Sequence, residues 1–299
     1  MREAHIERLP SDSYIPTRDL AYADIFRLHK LFEALYGATN LILTGPKGNG
    51  KSLAFASWAA AKKYPMVTVD CSEDLRTSKL LGSYTLRGNE TPFVLGPIPT
   101  AFEIANETGN CILNFEEINA LSPQAQKILN PVLDFRKRVE IPEAGRVFSL
   151  SPGKTLWIVG SMNNAGYGGT HQLNEDLLSR VDLVQVTYPE VEDERKLITA
   201  ALSEEIYAKA SKPLGASGVT FLDGVLTLAR ETRQGKGFDY ALAPRDVVQI
   251  LTNYNRIGLG PALQLVLGKY EGEFRVTMKR RMLSIFPEAK LPKLVEEQG

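Results

Sequence analysis

Cysteine is scarce: the 299 residues hold two, Cys71 and Cys111. They lack the paired spacing of a metal site and lie in apolar stretches, the setting of reduced core thiols rather than of a disulfide framework. Histidine is as thin. His5, His29 and His171 stand far apart in the chain, so no local cluster points to a structural metal. No apolar run approaches the ~20 residues that a bilayer-spanning helix needs. The opening Met1–Arg8 is charged throughout and has no secretory h-region, which predicts a cytoplasmic chain with no membrane partner. Neither sign of charge is in excess, since Lys plus Arg and Asp plus Glu stand at 35 each, and no overall basic field points to nucleic acid. Repeats and low-complexity tracts are absent as well. What remains is 43% hydrophobic and 23% charged, an ordinary globular composition, over a length that suits two domains.

The chain is organised around Leu41–Ser52, Leu-Ile-Leu-Thr-Gly-Pro-Lys-Gly-Asn-Gly-Lys-Ser. Three apolar residues and a Thr predict a buried strand that empties into a glycine-rich turn. The turn fits G-x-x-x-x-G-K-[ST] from Gly45 through Pro46, Lys47, Gly48, Asn49, Gly50 and Lys51 to Ser52. Glycines at 45, 48 and 50 let the backbone curl into a nest whose N–H groups point at phosphate oxygens. The helix predicted next, Leu53–Lys63, adds unpaired N-terminal N–H groups and the positive end of its dipole. Lys51 can reach β- and γ-phosphates, and the Ser52 hydroxyl can ligate Mg²⁺. An ordinary Gly-rich turn accounts for the glycines, but not for strand, turn and helix in that order.

Upstream, residues 1–19 are polar, with Pro10 and Pro16, and read as an irregular arm; Leu20–Tyr36 carries apolar residues at helical spacing. Downstream, strands are predicted at Met66–Asp70, at Cys111–Phe115 (interrupted by Asn114), at Thr155–Ser161 and at Leu183–Val186. Helices are predicted at Thr100–Glu107, Ser122–Asp134 and Leu173–Arg180, with Ser122 as a cap and Pro123 in the first turn. Two turn-rich stretches interrupt the alternation: an insert at about 83–98 and a hairpin at about 138–151 around Glu143-Ala144-Gly145. Strands alternating with helices as far as Pro189 predict a doubly wound parallel α/β sheet. Beyond it, charged segments at Glu192–Lys212, Thr220–Arg233, Pro244–Tyr254 and Pro261–Leu283 predict a smaller helical domain. The domains are read as 1–189 and 190–287, with 288–299 a loosely attached tail.

Hydrolysing a nucleotide needs a metal anchor, a base for water, and cations to neutralise charge developing on the γ-phosphate. Glu116 and Glu117 follow the third strand; one carboxylate can hold Mg²⁺ while its neighbour activates the attacking water. An acidic pair opening a solvated loop is the bland alternative, and it loses ground behind a P-loop and an apolar strand. Asn163 ends the fourth strand and can bond the γ-phosphate or the water without adding charge, although an Asn there can equally shape a turn. Arg180 closes the following helix and Arg245 opens a helix in the second domain; most lone arginines form surface ion pairs, and only the chain order lifts these two.

In that order the residues resemble an AAA+ ATPase of the MoxR and midasin-like branch, nearest to the CbbQ and NorQ activators, over about residues 14–256. Gly45–Ser52 resembles Walker A, Cys111–Glu117 Walker B, Ser161–Asn163 sensor 1, Leu178-Ser179-Arg180 the arginine finger and Ala243-Pro244-Arg245 sensor 2. Two stretches are more specific to the branch: Phe93–Ala101, like the end of the helix-2 insert, and Tyr167–Arg180, like the run from sensor 1 to the finger. The resemblance implies an Mg²⁺-dependent ATPase assembled as a homo-oligomeric ring, usually a hexamer. ATP then sits at subunit interfaces, Arg180 comes from the neighbour, and the inserted hairpins face the channel. It further implies a client protein, often with a von Willebrand factor A partner. Two positions depart from the pattern: Glu116 stands where the family usually has Asp, and Asn164 where it usually has Pro.

Other function classes compete with a remodelling motor. A nucleic-acid translocase or helicase loader shares the insertions, but zero net charge and the lack of an aromatic-basic stretch weigh against it, leaving Arg87 as a candidate basic pore residue. A slow nucleotide-gated scaffold is motivated by Glu116. A GTP-driven restriction motor is more remote, because its Met-Asn-Thr-Ala-Asp run is Met-Asn-Asn-Ala-Gly at 162–166 here.

Overall fold

The apolar runs of the first half become strands of one parallel sheet. The computed structural model describes residues 23–291, apart from 87, 89, 164–170, 216–217 and 236. The expected arm at 1–19, Arg87, Asn164, the Tyr167–Thr170 part of the branch-specific run and residues 292–299 of the tail lie outside the described residues. The chain divides into two units, the bulk of one ending at Thr187 and the bulk of the other starting at Tyr188.

In the first unit, helix α1 (Ala23–Leu35) precedes strand β1 (Leu41–Gly45), helix α2 (Lys51–Lys62) and strand β2 (Met66–Asp70). A short helix α3 (Thr77–Leu81), unexpected from the sequence, leads into an antiparallel hairpin of β3 (Gly82–Tyr84) and β4 (Phe93–Leu95). Helix α4 runs over Pro97–Thr108, so it begins three residues earlier than the helical spacing suggested. Pro97 and Pro99 fall in its first turn, where a backbone N–H has no intrahelical partner to lose. Strand β5 (Asn110–Glu116), helix α5 (Pro123–Leu133), a hairpin of β6 (Arg138–Ile141) and β7 (Arg146–Ser149), strand β8 (Thr155–Asn163), helix α6 (Glu175–Leu178) and strand β9 (Asp182–Gln185) complete the unit. Ser122 caps α5 as expected, its Oγ accepting from the Ala125 N–H at 3.3 Å. The two hairpins are tied together by the Tyr84 hydroxyl, which donates to the Glu143 carbonyl at 2.9 Å.

The sheet order is β2-β5-β8-β1-β9, with every pairing parallel. One face buries Ile42, Leu113, Phe115, Leu156 and Ile158 against α4 and α5. On the other, Trp157 packs 5.1 Å from Trp58 and 5.7 Å from Phe32, and Phe32 stacks on Phe55 at 4.7 Å. These rings pin α1 and α2 to the sheet and so fix where the turn between β1 and α2 lies. Register then aligns the strand ends: Gly45 pairs with Asn163, and Asp70 with Glu116.

The second unit is helical among its described residues: α7 (Val191–Ala201), α8 (Glu204–Ala210), α9 (Phe221–Arg233), α10 (Pro244–Ile257), α11 (Leu259–Leu267) and α12 (Gly272–Ile285). Two segments expected as single helices are each broken. Glu192–Lys212 stops at Leu202, because Ser203 turns its hydroxyl to the Ile206 N–H and caps a new helix. Pro261–Leu283 is cut between Leu267 and Gly272, where Tyr270 is drawn into the core and its hydroxyl donates to the Tyr240 carbonyl at 3.0 Å. Within this unit Arg233 and Glu194 form a two-pronged ion pair, both bonds 2.7 Å, with side chains only 9% and 5% exposed.

That pair sets a stability test. Removing one partner strands a buried charge, at a cost of ~3–5 kcal/mol, whereas replacing both with apolar groups of similar volume is often close to neutral. Glu194→Leu should therefore lower the unfolding free energy strongly, and Glu194→Leu combined with Arg233→Met should recover much of the loss. Chemical denaturation of the three proteins measures this directly.

Candidate nucleotide site

The turn between β1 and α2 has the backbone its glycines predicted: φ is 71° at Gly48 and 89° at Gly50, a left-handed region costly for residues with a Cβ. Gly50 is the N-cap of α2, which accordingly begins at Lys51 rather than Leu53. Lys51 is buried, at 7% exposure. Its ammonium donates to the carbonyls of Gly45 at 2.9 Å and Pro46 at 2.7 Å, and reaches the Asn163 Oδ1 at 3.4 Å. The phosphate-seeking cation thus braces its own loop.

Glu116, the last residue of β5, turns its carboxylate to the same spot. One oxygen accepts from the Ser52 hydroxyl and from the Ser161 hydroxyl at 2.6 Å; the other accepts from the Asn114 amide at 2.7 Å. Glu117 leaves the strand in the left-handed region, at φ 53°, which costs a non-glycine residue ~1 kcal/mol or more. Its N–H faces the Ser161 Oγ at 3.4 Å, and its side-chain Oε1 accepts from the Asn163 amide at 3.1 Å. Asn163 therefore stands between Lys51 and Glu117, its oxygen toward the cation and its NH₂ toward the carboxylate.

A cleft of about 560 Å³ opens beside these groups, lined by Ser52, Asp70, Asn114, Glu116 and Glu117 among others. Cys71 also borders it, and burial together with the nearby Glu116 carboxylate raises its thiol pKa far above the usual range, so it is an inert wall rather than a nucleophile. The donor set fits Mg²⁺. A hydroxyl and a carboxylate already in contact are hard oxygen ligands, and Mg²⁺ binds through one or two such groups while keeping waters and phosphate oxygens. Among the described residues no group of three or more His, Cys, Asp or Glu is placed to hold a metal on protein ligands alone.

The sequence-predicted residues thus divide. Gly45, Pro46, Lys51, Ser52, Glu116, Glu117 and Asn163 converge. Arg180 does not: it precedes β9 at the opposite edge of the sheet, its carbonyl held by the Asn40 amide at 2.7 Å and its guanidinium on the Asp176 carbonyl. Strand β8 measures the separation, since its nine residues at ~3.3 Å each put the two edges roughly 26 Å apart, far beyond any side chain. Strand ends do carry the candidates, but Arg180 sits beside a strand start. Arg245 is the second residue of α10 in the second unit. Two contributors were missed. Asn114, read as an interruption of the strand, and Ser161, read only as part of the sensor stretch, both hold Glu116. Each lies two positions before a predicted site residue, and in a strand that spacing returns a side chain to the same face.

Residues 40–181 match the family model of the AAA domain, dynein-related subfamily. That stretch is similar to an AAA domain. With the parallel sheet and the helical part that follows, the chain has a P-loop AAA+ α/β fold. Uncharacterized proteins of Staphylococcus haemolyticus and Staphylococcus epidermidis are each 36% identical over 154 residues, which is 50% of this chain and 56% of theirs. An uncharacterized Staphylococcus aureus protein matches over the same span at 35%. The chain spans about half the length of the curated relatives it matches. A solved structure of a candidate ATPase from Cytophaga hutchinsonii covers 90% of this chain and 77% of its own, with 15% identity and a TM-score of 0.46, too loose a likeness to bear on the site. No helix among the described residues is long and apolar enough to cross a membrane.

The Ser161 hydroxyl offers a test of the site. A hydrogen bond to a charged group contributes ~1.5–3 kcal/mol, and each 1.4 kcal/mol is about tenfold in rate. Ser161→Ala should leave ATP affinity within a few-fold and lower steady-state turnover about tenfold or more, as measured by phosphate release.

Proposed function

We propose that this chain is an ATP-hydrolysing AAA+ motor of the MoxR and midasin-like branch, working as a homo-oligomeric ring that remodels or activates a client protein. The observation that carries the reading is the place of Arg180, on the sheet edge away from its own P-loop. A guanidinium there serves catalysis only when a second copy presents its nucleotide, and head-to-tail contacts of that kind close into rings.

In this reading the backbone N–H groups of Gly45–Ser52 hold the phosphates, and Lys51 exchanges loop carbonyls for β- and γ-oxygens. Ser52 and Glu116 would hold Mg²⁺, which neutralises charge on the β- and γ-phosphates. Glu117, oriented by Asn163, takes the proton of the attacking water; Arg180 of the neighbour and Arg245 neutralise the developing charge. The two hairpins are the surfaces for a client, with a von Willebrand factor A protein the partner type the branch suggests. Hexamer is the expected ring size.

Lys51→Ala should abolish tight ATP binding, and Glu117→Gln should bind ATP without turning it over. The decisive measurement mixes Glu117→Gln with Arg180→Ala before assembly. Each is expected to be nearly inactive alone. In mixed rings, with random equal mixing, about a quarter of interfaces pair an intact Glu117 with a neighbour's intact Arg180, so activity should return. No recovery in rings shown by native mass to be mixed would sink the trans assignment; turnover by pure Glu117→Gln at the wild-type rate would remove Glu117 as the base.

A further inference from the structure

A second and larger cleft, about 820 Å³, lies at the edge where the strands begin. Among the described residues its wall includes four cations, Arg136, Lys137, Lys154 and Arg180, and one carboxylate, Asp134. Arg136 already occupies that carboxylate, its Nε donating to Oδ2 at 2.8 Å and its N–H to Oδ1 at 2.8 Å. The remaining positive charge faces the cavity without a carboxylate of its own there. The described wall of the P-loop cleft has the reverse character, with Asp70, Glu116 and Glu117 in it, while the Lys51 ammonium is buried beside it against loop carbonyls and Asn163. The described walls of the two clefts are therefore of opposite sign. A second copy docked head to tail brings them together, and a bound triphosphate deepens the complementarity.

Lys137 is placed for such a meeting at some cost. It is a non-glycine residue at φ 42°, and its ammonium is half-buried against the Asn40 Oδ1. Burial pushes its pKa down to about 8, against the opposing pull of the nearby Asp134 carboxylate, so a further anion at the cavity would favour its charged form. Asn40 binds Lys137 into the segment that carries Arg180: its amide donates to the Leu133 carbonyl at 2.7 Å and to the Arg180 carbonyl at 2.7 Å. Lys137 and Arg180 are thus held by one buried side chain and line one cavity. Phe135, 93% exposed on the same wall, presents an aromatic surface of the sort that anchors protein contacts.

Resting on the ring reading above, we propose that Lys137 is a second trans-acting cation, delivered with Arg180 to the terminal phosphate of a nucleotide held by the next copy. Asn40 is its positioning residue.

The test uses the full-length chain. Lys137→Met keeps the length of the side chain and removes its charge. ATP binding by its own P-loop should stay within twofold of wild type, and kcat should fall at least tenfold. From assembled rings, a fluorescent ATP analogue should dissociate faster while the ADP analogue is unchanged, because only ATP carries the terminal phosphate; a purely structural role would change both or neither. Lys137→Met mixed with Glu117→Gln should regain activity above either parent, as should the Arg180→Ala and Glu117→Gln pair. Lys137→Gln, which can still donate to Asn40, serves as the neutral variant if Lys137→Met lowers the melting temperature. Wild-type turnover in a folded neutral variant overturns the proposal. Rescue of the Arg180 pair without rescue of the Lys137 pair overturns it while leaving the ring reading intact; failure of both pairs overturns both.

Discussion

Parallel strands give a sheet direction. All five described strands of the first unit's sheet start at one edge and finish at the other, and crossover helices enforce that arrangement. Strand ends meet helix N-termini, where backbone N–H groups lack partners and the dipole favours anions; Gly45, Asp70, Glu116 and Asn163 gather there by register. Strand starts collect Asn40, Lys154 and Arg180 by the same rule. The distinct chemistry of the two edges is thus a property of topology before it is one of individual residues, and the functional reading depends on it.

Much of this was legible in the chain. The P-loop announces itself because its glycines serve backbone geometry that few other residues tolerate, and φ at Gly48 and Gly50 bears that out. The strands were found to within two residues at their ends, since their neighbours differ sharply in polarity. Helix ends in the second unit were harder. Ser203 and Tyr270 sit inside long helical patterns, and a local signal does not reveal that one will cap and the other will turn into a core. The supporting donors of the site were hidden for another reason. Asn114 looked like a flaw in an apolar run, and its value exists only once the strand is pleated and Glu116 lies on the same face. Ser161 requires one step more, the pairing of β5 with β8, because it reaches Glu116 across the ladder.

Glu116 shows how a departure from a pattern is absorbed. A glutamate places its carboxylate one methylene farther from the strand than an aspartate, and three side-chain donors from two strands and a helix receive it there. The neighbouring Glu117 is held by the opposite means, a backbone twist at φ 53° that takes its side chain off the strand and toward Asn163. Adjacent carboxylates, which would otherwise alternate to opposite faces, are in this way brought to one cleft with separate partners.

The brace that Lys51 makes across its loop bears on how quickly and how tightly a nucleotide is taken up. Two carbonyls already hold the ammonium, so the nest is folded around an internal charge before any phosphate arrives. Uptake is then a ligand exchange at nitrogen, carbonyl oxygens traded for phosphate oxygens, rather than the ordering of a slack loop. The entropy of ordering has been met in folding, while part of the enthalpy of the new bonds is cancelled by the old ones. Such a site favours rapid sampling over permanent capture.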